Sequence, residues 1–399
     1  MILKPSLSTS PLRSFPVMLR GIDSSTGFKS VSRREINSHG SRYRRISGSI
    51  SNIFLGVSLA TISLLSCDTS QRLEPYRIFV AGARDTQSDL FLFNGNGTKL
   101  RQLTDTPDRA EMWPVSTSDS ERIYFEARNV LNKEIMLCSL DLESGNEDTL
   151  YGPVPPGELW FALSPDARHM AYVVSETTHT SLRIRNISSG HERSFYEDEC
   201  RLIRPSWSPN SRLIVCQIRC NHEKQWDLAL IDIKRGRISR FTDTPDMSEF
   251  KARWSPDGSS ILTSRFKGSD RTKVHLVVIS TDRATVEDTF GKANDRIVSA
   301  VWSNTGNLIA VRERPLPLSI LLWPTGNLTS PAEEKRLEEK WKRGRAVWSH
   351  DSKYIAVNVS ESNSRNRHLW RILIMDAAGN IVRRWSDEMS IYCPSWKHP

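Results

Sequence analysis

The chain lacks the short motifs that announce most enzyme classes. It has no Gly-x-Ser-x-Gly nucleophile elbow, no His-Glu-x-x-His zinc helix, no Cys-x-x-Cys, no Gly-x-Gly-x-x-Gly and no phosphate loop. It also lacks a disulfide framework. Six cysteines stand among 399 residues, and the five after Cys67 (Cys138, Cys200, Cys216, Cys220 and Cys393) are odd in number and irregularly spaced. Cys216, Cys220 and His222 lie close together, but no second ligand cluster accompanies them, so buried or simply paired cysteines are expected and no metal. In an oxidising compartment Cys200 is placed to pair with either Cys216 or Cys220. The nine histidines are scattered. No catalytic residue and no cofactor is assigned.

An excess of charge is missing where it would matter. The formal net charge is +9, but residues 1–67 carry nine Lys/Arg against Asp23 and Glu35. The rest of the chain is close to neutral, and it has no aromatic-plus-basic RNA motif. A nucleic-acid partner is therefore not expected.

What is present is a repeat. Trp254-Ser255-Pro256-Asp257-Gly258 has weaker copies at Leu163-Ser164-Pro165-Asp166, Trp207-Ser208-Pro209-Asn210, Trp302-Ser303-Asn304-Thr305-Gly306 and Trp348-Ser349-His350-Asp351. A last copy starts at Trp396. The sequence Thr-Asp-Thr-Pro-Asp occurs at 104–108 and again at 242–246, twelve residues before Trp254, which puts Ser116 at a disguised landmark. The landmarks 116, 163, 207, 254, 302, 348 and 396 recur every 44–48 residues. That period belongs to propellers and other repeat arrays. Each period reads as four short strands separated by turn residues. The reading is all-β: a β-propeller of four-stranded blades, seven in number, or six if one period is degenerate. Tyr76–Ala81, Asp89–Phe93 and Lys99–Thr104 lack a first strand, and Ile391–Trp396 lacks the other three. Their pairing would close the ring. Residues 330–342 read either as a helical insertion or as an outer strand.

Alternation along each first strand places the candidate site. Four and two residues before the landmarks stand mostly apolar or small residues such as Phe250 and Ala252. Five and three before stand Glu111, Glu158 and Glu249, and Trp113, Trp160, Arg204, Lys251 and Arg345. On a regular strand these two sets share the face opposite the apolar one. They are expected at the channel mouth as a binding surface for a polar ligand or a partner's peptide. The competing expectation is a set of channel-lining ion pairs that satisfy one another.

The leader divides differently. Residues 1–41 are Ser-rich. Arg42-Tyr43-Arg44-Arg45 is basic, Ile50–Leu65 is mostly apolar, and Leu64-Leu65-Ser66-Cys67 follows. This is the order of an export signal. Residues 1–66 are read as a leader with an export signal, 67–75 as a short tether and 76–399 as one propeller domain. A start codon placed too early and an organellar transit peptide are other readings of residues 1–41.

The Trp-Ser-Pro-Asp-Gly repeats, with Leu103-Thr104 and Phe241-Thr242 before the next unit, resemble the TolB-type, WD40-like (PD40) propeller repeats. The eight residues between Cys67 and Tyr76 leave no room for the α/β domain of TolB itself. Leu64-Leu65-Ser66-Cys67 resembles a bacterial lipobox, which implies cleavage before Cys67 and a lipid on its sulfur. Together these imply an anchored binding or scaffold protein on the periplasmic side of the cell envelope, attached to the inner or outer membrane. The implied partner is an envelope protein or peptide, or a glycan. The alternative is a carbohydrate-binding propeller, or one that processes carbohydrate or peptide in its channel.

Overall fold

The computed structural model describes residues 71–397 apart from 85–86, 117–120, 269, 271–273, 283–285, 291–295, 324–332, 363–367 and 386–388. The leader, Cys67 and the first residues of the tether lie outside the described residues. Elsewhere each repeat period supplies one antiparallel run. The first comprises β1 (Arg77–Arg84), β2 (Gln87–Asn94) and β3 (Lys99–Gln102). The next is β4 (Arg109–Ser116), β5 (Arg122–Asn129), β6 (Ile135–Asp141) and β7 (Glu147–Val154). Then come β8 (Phe161–Leu163), β9 (His169–Ser175), β10 (Thr180–Asn186) and β11 (Glu192–Phe195). The middle of the chain gives β12 (Cys200–Trp207), β13 (Leu213–Cys220), β14 (Asp227–Asp232) and β15 (Arg237–Arg240), followed by β16 (Met247–Trp254), β17 (Ser260–Lys267), β18 (His275–Ser280) and β19 (Val286–Phe290). The last periods give β20 (Arg296–Trp302), β21 (Leu308–Arg314), β22 (Ser319–Trp323) and β23 (Glu333–Arg336), then β24 (Trp341–Trp348), β25 (Tyr354–Ser362), β26 (His368–Asp376) and β27 (Ile381–Arg384). β28 (Ser390–Trp396) ends the series.

β28 pairs antiparallel with β1, so the two ends of the described chain share one run, β28-β1-β2-β3. This run meets β4 only through the parallel pair Ser88–Ala110, which joins two four-stranded runs into one eight-stranded sheet. The other five sheets have four strands each. Residues 333–336 form β23 at the outer edge beside β22, which decides for a strand over a helix there.

The repeat motif is a set of hydrogen bonds that fix this architecture. Three of the five landmark tryptophans donate to the preceding sheet, while the Trp302 and Trp348 indole N–H groups find no partner among the described residues. The indole N–H of Trp207 donates to the Ala162 carbonyl at 3.0 Å, Trp254 to Ser206 at 3.1 Å and Trp396 to Val347 at 3.2 Å. The next serine closes the turn. Ser255 Oγ donates to Asp257 at 2.6 Å and accepts from the Ser260 amide at 3.0 Å, while Gly258 takes φ +76°, which a side chain rarely adopts. Ser164, Ser208 and Ser349 repeat the arrangement.

Burial between sheets follows the same order. Seven apolar clusters each join residues of two consecutive runs. One, for example, joins Leu182 and Phe195 to Leu202 and Cys216. Another returns from the last run to the first, packing Ile372 and Ile374 on Ile78, Phe91, Phe93 and Trp396. Within the clusters the aromatic and branched side chains of the second and third strands are nearly solvent-free.

Candidate functional site

Four of the first strands share one irregularity. In β4, β12, β16 and β28 three residues span the distance of two on the neighbouring strand. Each therefore carries a β-bulge. The bulge residue, three before the landmark, takes a positive φ: Trp113 58°, Arg204 55°, Lys251 59° and Cys393 53°. None is glycine, and such a conformation costs about 1–3 kcal/mol at each residue.

Buried polar side chains of the preceding run hold these bulges. Ser88 Oγ donates to the Glu111 carbonyl (2.8 Å), Thr180 Oγ to that of Leu202 (2.7 Å), Gln217 Nε2 to that of Glu249 (3.1 Å) and Asn358 Nδ2 to that of Ile391 (3.1 Å). Gln217 also accepts from the Lys251 amide at 3.3 Å. The bulges are thus built into the fold through contacts distant in sequence.

A one-residue slip turns every preceding side chain to the other face. The alternation expected from the sequence accordingly holds in β24, where Gly344 and Ala346 are buried and Arg343 and Arg345 exposed. It reverses upstream of the bulges. Glu111 and Glu249 are fully buried rather than at a mouth, as are Leu202 and Ile391.

The two glutamates belong to structural clasps made by the Thr-Asp-Thr-Pro-Asp repeats. Thr104 Oγ1 accepts from the Leu90 amide at 2.8 Å and donates to the Glu111 carboxylate. Thr106 Oγ1 donates to Glu111 Oε1 at 2.8 Å, and Arg109 lies 3.3 Å away. Thr242 does the same between the Leu228 amide (2.9 Å) and Glu249, which also pairs with Arg265. Burial raises both carboxyls, and Glu111 reaches about 7.

The other six residues predicted for the site line one cavity of about 600 Å³: Trp113, Glu158, Trp160, Arg204, Lys251 and Arg345. Sequence reasoning missed Arg253, Glu126 and Arg128, which line it too. Arg253 stands one before its landmark, on the same side of the bulge as the cavity. Its charge among the otherwise uncharged residues at that place, such as Val115, Ser206 and Val347, was a readable signal.

Five cations therefore face two carboxylates. Glu126 is taken up by Arg128. Arg204 lies over Trp160, 3.7 Å from the ring centroid, and Arg345 over Trp113 at 4.5 Å. Lys251 Nζ donates to the Val298 carbonyl at 2.7 Å. Among the described residues Lys251, Arg253 and Arg345 have no carboxylate within 4.0 Å. Burial, then the Arg345, Arg204 and Arg253 charges, push Lys251 down to about 8. Arg253 lines the cavity with its side chain exposed to solvent.

Cys200 and Cys220 form a disulfide across paired positions of β12 and β13. That selects one of the two pairings left open by the sequence and leaves Cys216 a buried thiol. His222 is exposed beside Glu223. Among the described residues no group of His, Cys, Asp or Glu is arranged to hold a metal ion. No helix among them is long and apolar enough to cross a membrane.

No protein family and no curated protein matches the chain in sequence. Solved structures do match in fold. TolB from Acinetobacter baumannii is similar at TM-score 0.50 and 16% identity, over 83% of this chain and 85% of that one. A prolyl endopeptidase is similar at 0.58 and 9%, over 86% of this chain and 54% of that one, so this chain spans about half its length. Oligogalacturonate lyase from Vibrio parahaemolyticus is similar at 0.54 and 13%, over 76% and 82%. At these identities the likeness is one of fold: the chain is an all-β protein with a TolB-like propeller architecture.

Proposed function

We propose that the chain is an exported, lipid-anchored propeller of seven blades that binds an anionic segment of a partner protein in the cell envelope. Seven four-stranded runs and seven clusters between consecutive runs, the last returning to the first, support the blade count and a closed ring. The apolar run and Cys67 support export and anchoring, and the disulfide suits an oxidising compartment. One observation carries the functional reading. Lys251, Arg253 and Arg345 converge on a central cavity without carboxylate partners, although the cavity is held by strained and specifically supported bulges. Like charges brought together around a cavity with no carboxylate partner repel one another and destabilise a fold. A site that keeps them is arranged for an anion.

The carbohydrate alternative rests on Trp113 and Trp160 as stacking platforms. Both rings already carry a guanidinium, which favours an anionic peptide over a neutral sugar. The test is fluorescence anisotropy with a labelled hexaglutamate peptide and a hexalysine control. The acidic peptide should bind, more weakly as salt rises, and Arg345→Glu should remove binding without lowering the melting temperature. Equal binding of both peptides, or full binding by Arg345→Glu, would refute the reading.

A further inference from the structure

A second cavity of about 250 Å³ adjoins the first, and both are lined by Arg204 and Lys251. Its character differs. Phe250, Phe266, Val274 and Ile297 supply apolar walls. The Phe250 and Phe266 rings lie 6.0 Å apart and tilted. Of its cations, Arg296 already lies near Glu313, at 3.7 Å. Lys251 has no such carboxylate among the described residues and stands where the two spaces meet, tethered to Val298, another wall residue. Arg204 reaches both sides, stacking on Trp160 and lying 5.0 Å from the Phe250 centroid.

An apolar pocket of side-chain size beside an ammonium with no carboxylate within 4.0 Å among the described residues, opening into a larger cationic cavity, is a two-part recognition site. We infer that it takes the C-terminal residue of a polypeptide, with the terminal carboxylate on Lys251, an aromatic or branched side chain in the pocket walled by Phe250, Phe266, Val274 and Ile297, and the preceding residues in the cationic cavity. A terminal residue carries its charge and its side chain on one carbon, which matches the closeness of the two spaces. An internal acidic residue would bring the charge to Lys251 and leave the apolar pocket unfilled. The larger cavity's positive excess favours acidic residues just before the terminus.

This inference rests on the anion-binding reading above, and the experiment separates the two. The full chain, holding labelled hexaglutamate, is titrated with acetate, N-acetyl-phenylalanine, N-acetyl-Ala-Ala-Phe and the amide of that tripeptide. The free-acid tripeptide should displace the label at a concentration at least about tenfold below its amide and below acetate, since a lost charge-assisted bond in a desolvated site has that effect or more. Phe266→Ala should bring the tripeptide close to acetate. N-acetyl-phenylalanine should displace more weakly than the tripeptide; equal strength would overturn the polypeptide assignment. Equal potency of acid and amide would overturn the terminal carboxylate. Equal potency of tripeptide and acetate, with both lost in Arg345→Glu, would overturn the two-part site and leave the anion site standing. Failure of the wild-type chain to bind hexaglutamate or any of the four would overturn both.

Discussion

Replacing Glu111 by glutamine should change how stability depends on pH, in a direction fixed by the carboxylate's surroundings. Glu111 is fully buried and lies at about 7 in the folded chain, against 4.5 when exposed. Below 4.5 it is protonated in both states and contributes no difference. Between 4.5 and about 7 the unfolded chain ionises and the folded chain does not, so the folded chain binds more protons and stability falls as pH rises. Each pH unit of that window is worth about 1.4 kcal/mol, so the full effect is about 3 kcal/mol by pH 8. The substituted amide would keep one oxygen for one of the two threonine hydroxyls to donate to, its NH2 would donate to the other hydroxyl, and it carries no charge. Arg109 would retain Glu147, at 2.6 and 2.9 Å. Urea unfolding of both proteins at pH 5 and pH 8 gives a double difference in which other titrations cancel. Glu111→Gln should gain about 2.5 kcal/mol relative to wild type between the two pH values. A flat difference would refute the burial argument. A difference of opposite sign would mean that Arg109 holds the carboxylate below its ordinary value.

Other expectations concern the ends, the cavity and the leader. Trp396→Ala should cost about 3–5 kcal/mol, because a buried aromatic and its bond to Val347 are lost from β28; the exposed Leu131→Ala should stay within about 0.5 kcal/mol in the same urea series. Hexaglutamate affinity should fall as pH rises through about 8, where Lys251 loses its proton, and Lys251→Arg should shift that loss to higher pH in the same anisotropy assay. Labelled palmitate should enter the wild-type chain in a bacterial host, and Cys67→Ser should abolish both label and membrane association.

The repeat was readable because its bonds are local. The serine, the Asp or Asn and the following amide lie within six residues, as in Ser255, Asp257 and Ser260. The bulges were not readable. They sit at Trp113, Arg204, Lys251 and Cys393 without a glycine to mark them, and Ser88, Thr180, Gln217 and Asn358 hold them from 22 to 33 residues away. Strict alternation therefore put Glu111 and Glu249 on one face with Lys251 and Arg204, whereas the bulges separate them, with the glutamates buried and Lys251 and Arg204 lining the cavity. Cys220 rather than Cys216 pairs with Cys200 because register sets them opposite each other, a relation that no spacing along the chain conveys.

The central claim is that the cavity's cations are kept for a ligand and not for the fold. Lys251→Gln tests it directly, with melting temperature and hexaglutamate affinity measured on the same sample. In the folded chain Lys251 lies at about 8 against an ordinary 10.5, so the folded form binds its proton less well. Its charge therefore destabilises the fold near pH 7, by up to about 3 kcal/mol before the lost bond to Val298 is subtracted. The account predicts a variant that melts higher and no longer binds the acidic peptide. A variant that melts lower and binds as well as wild type would contradict it.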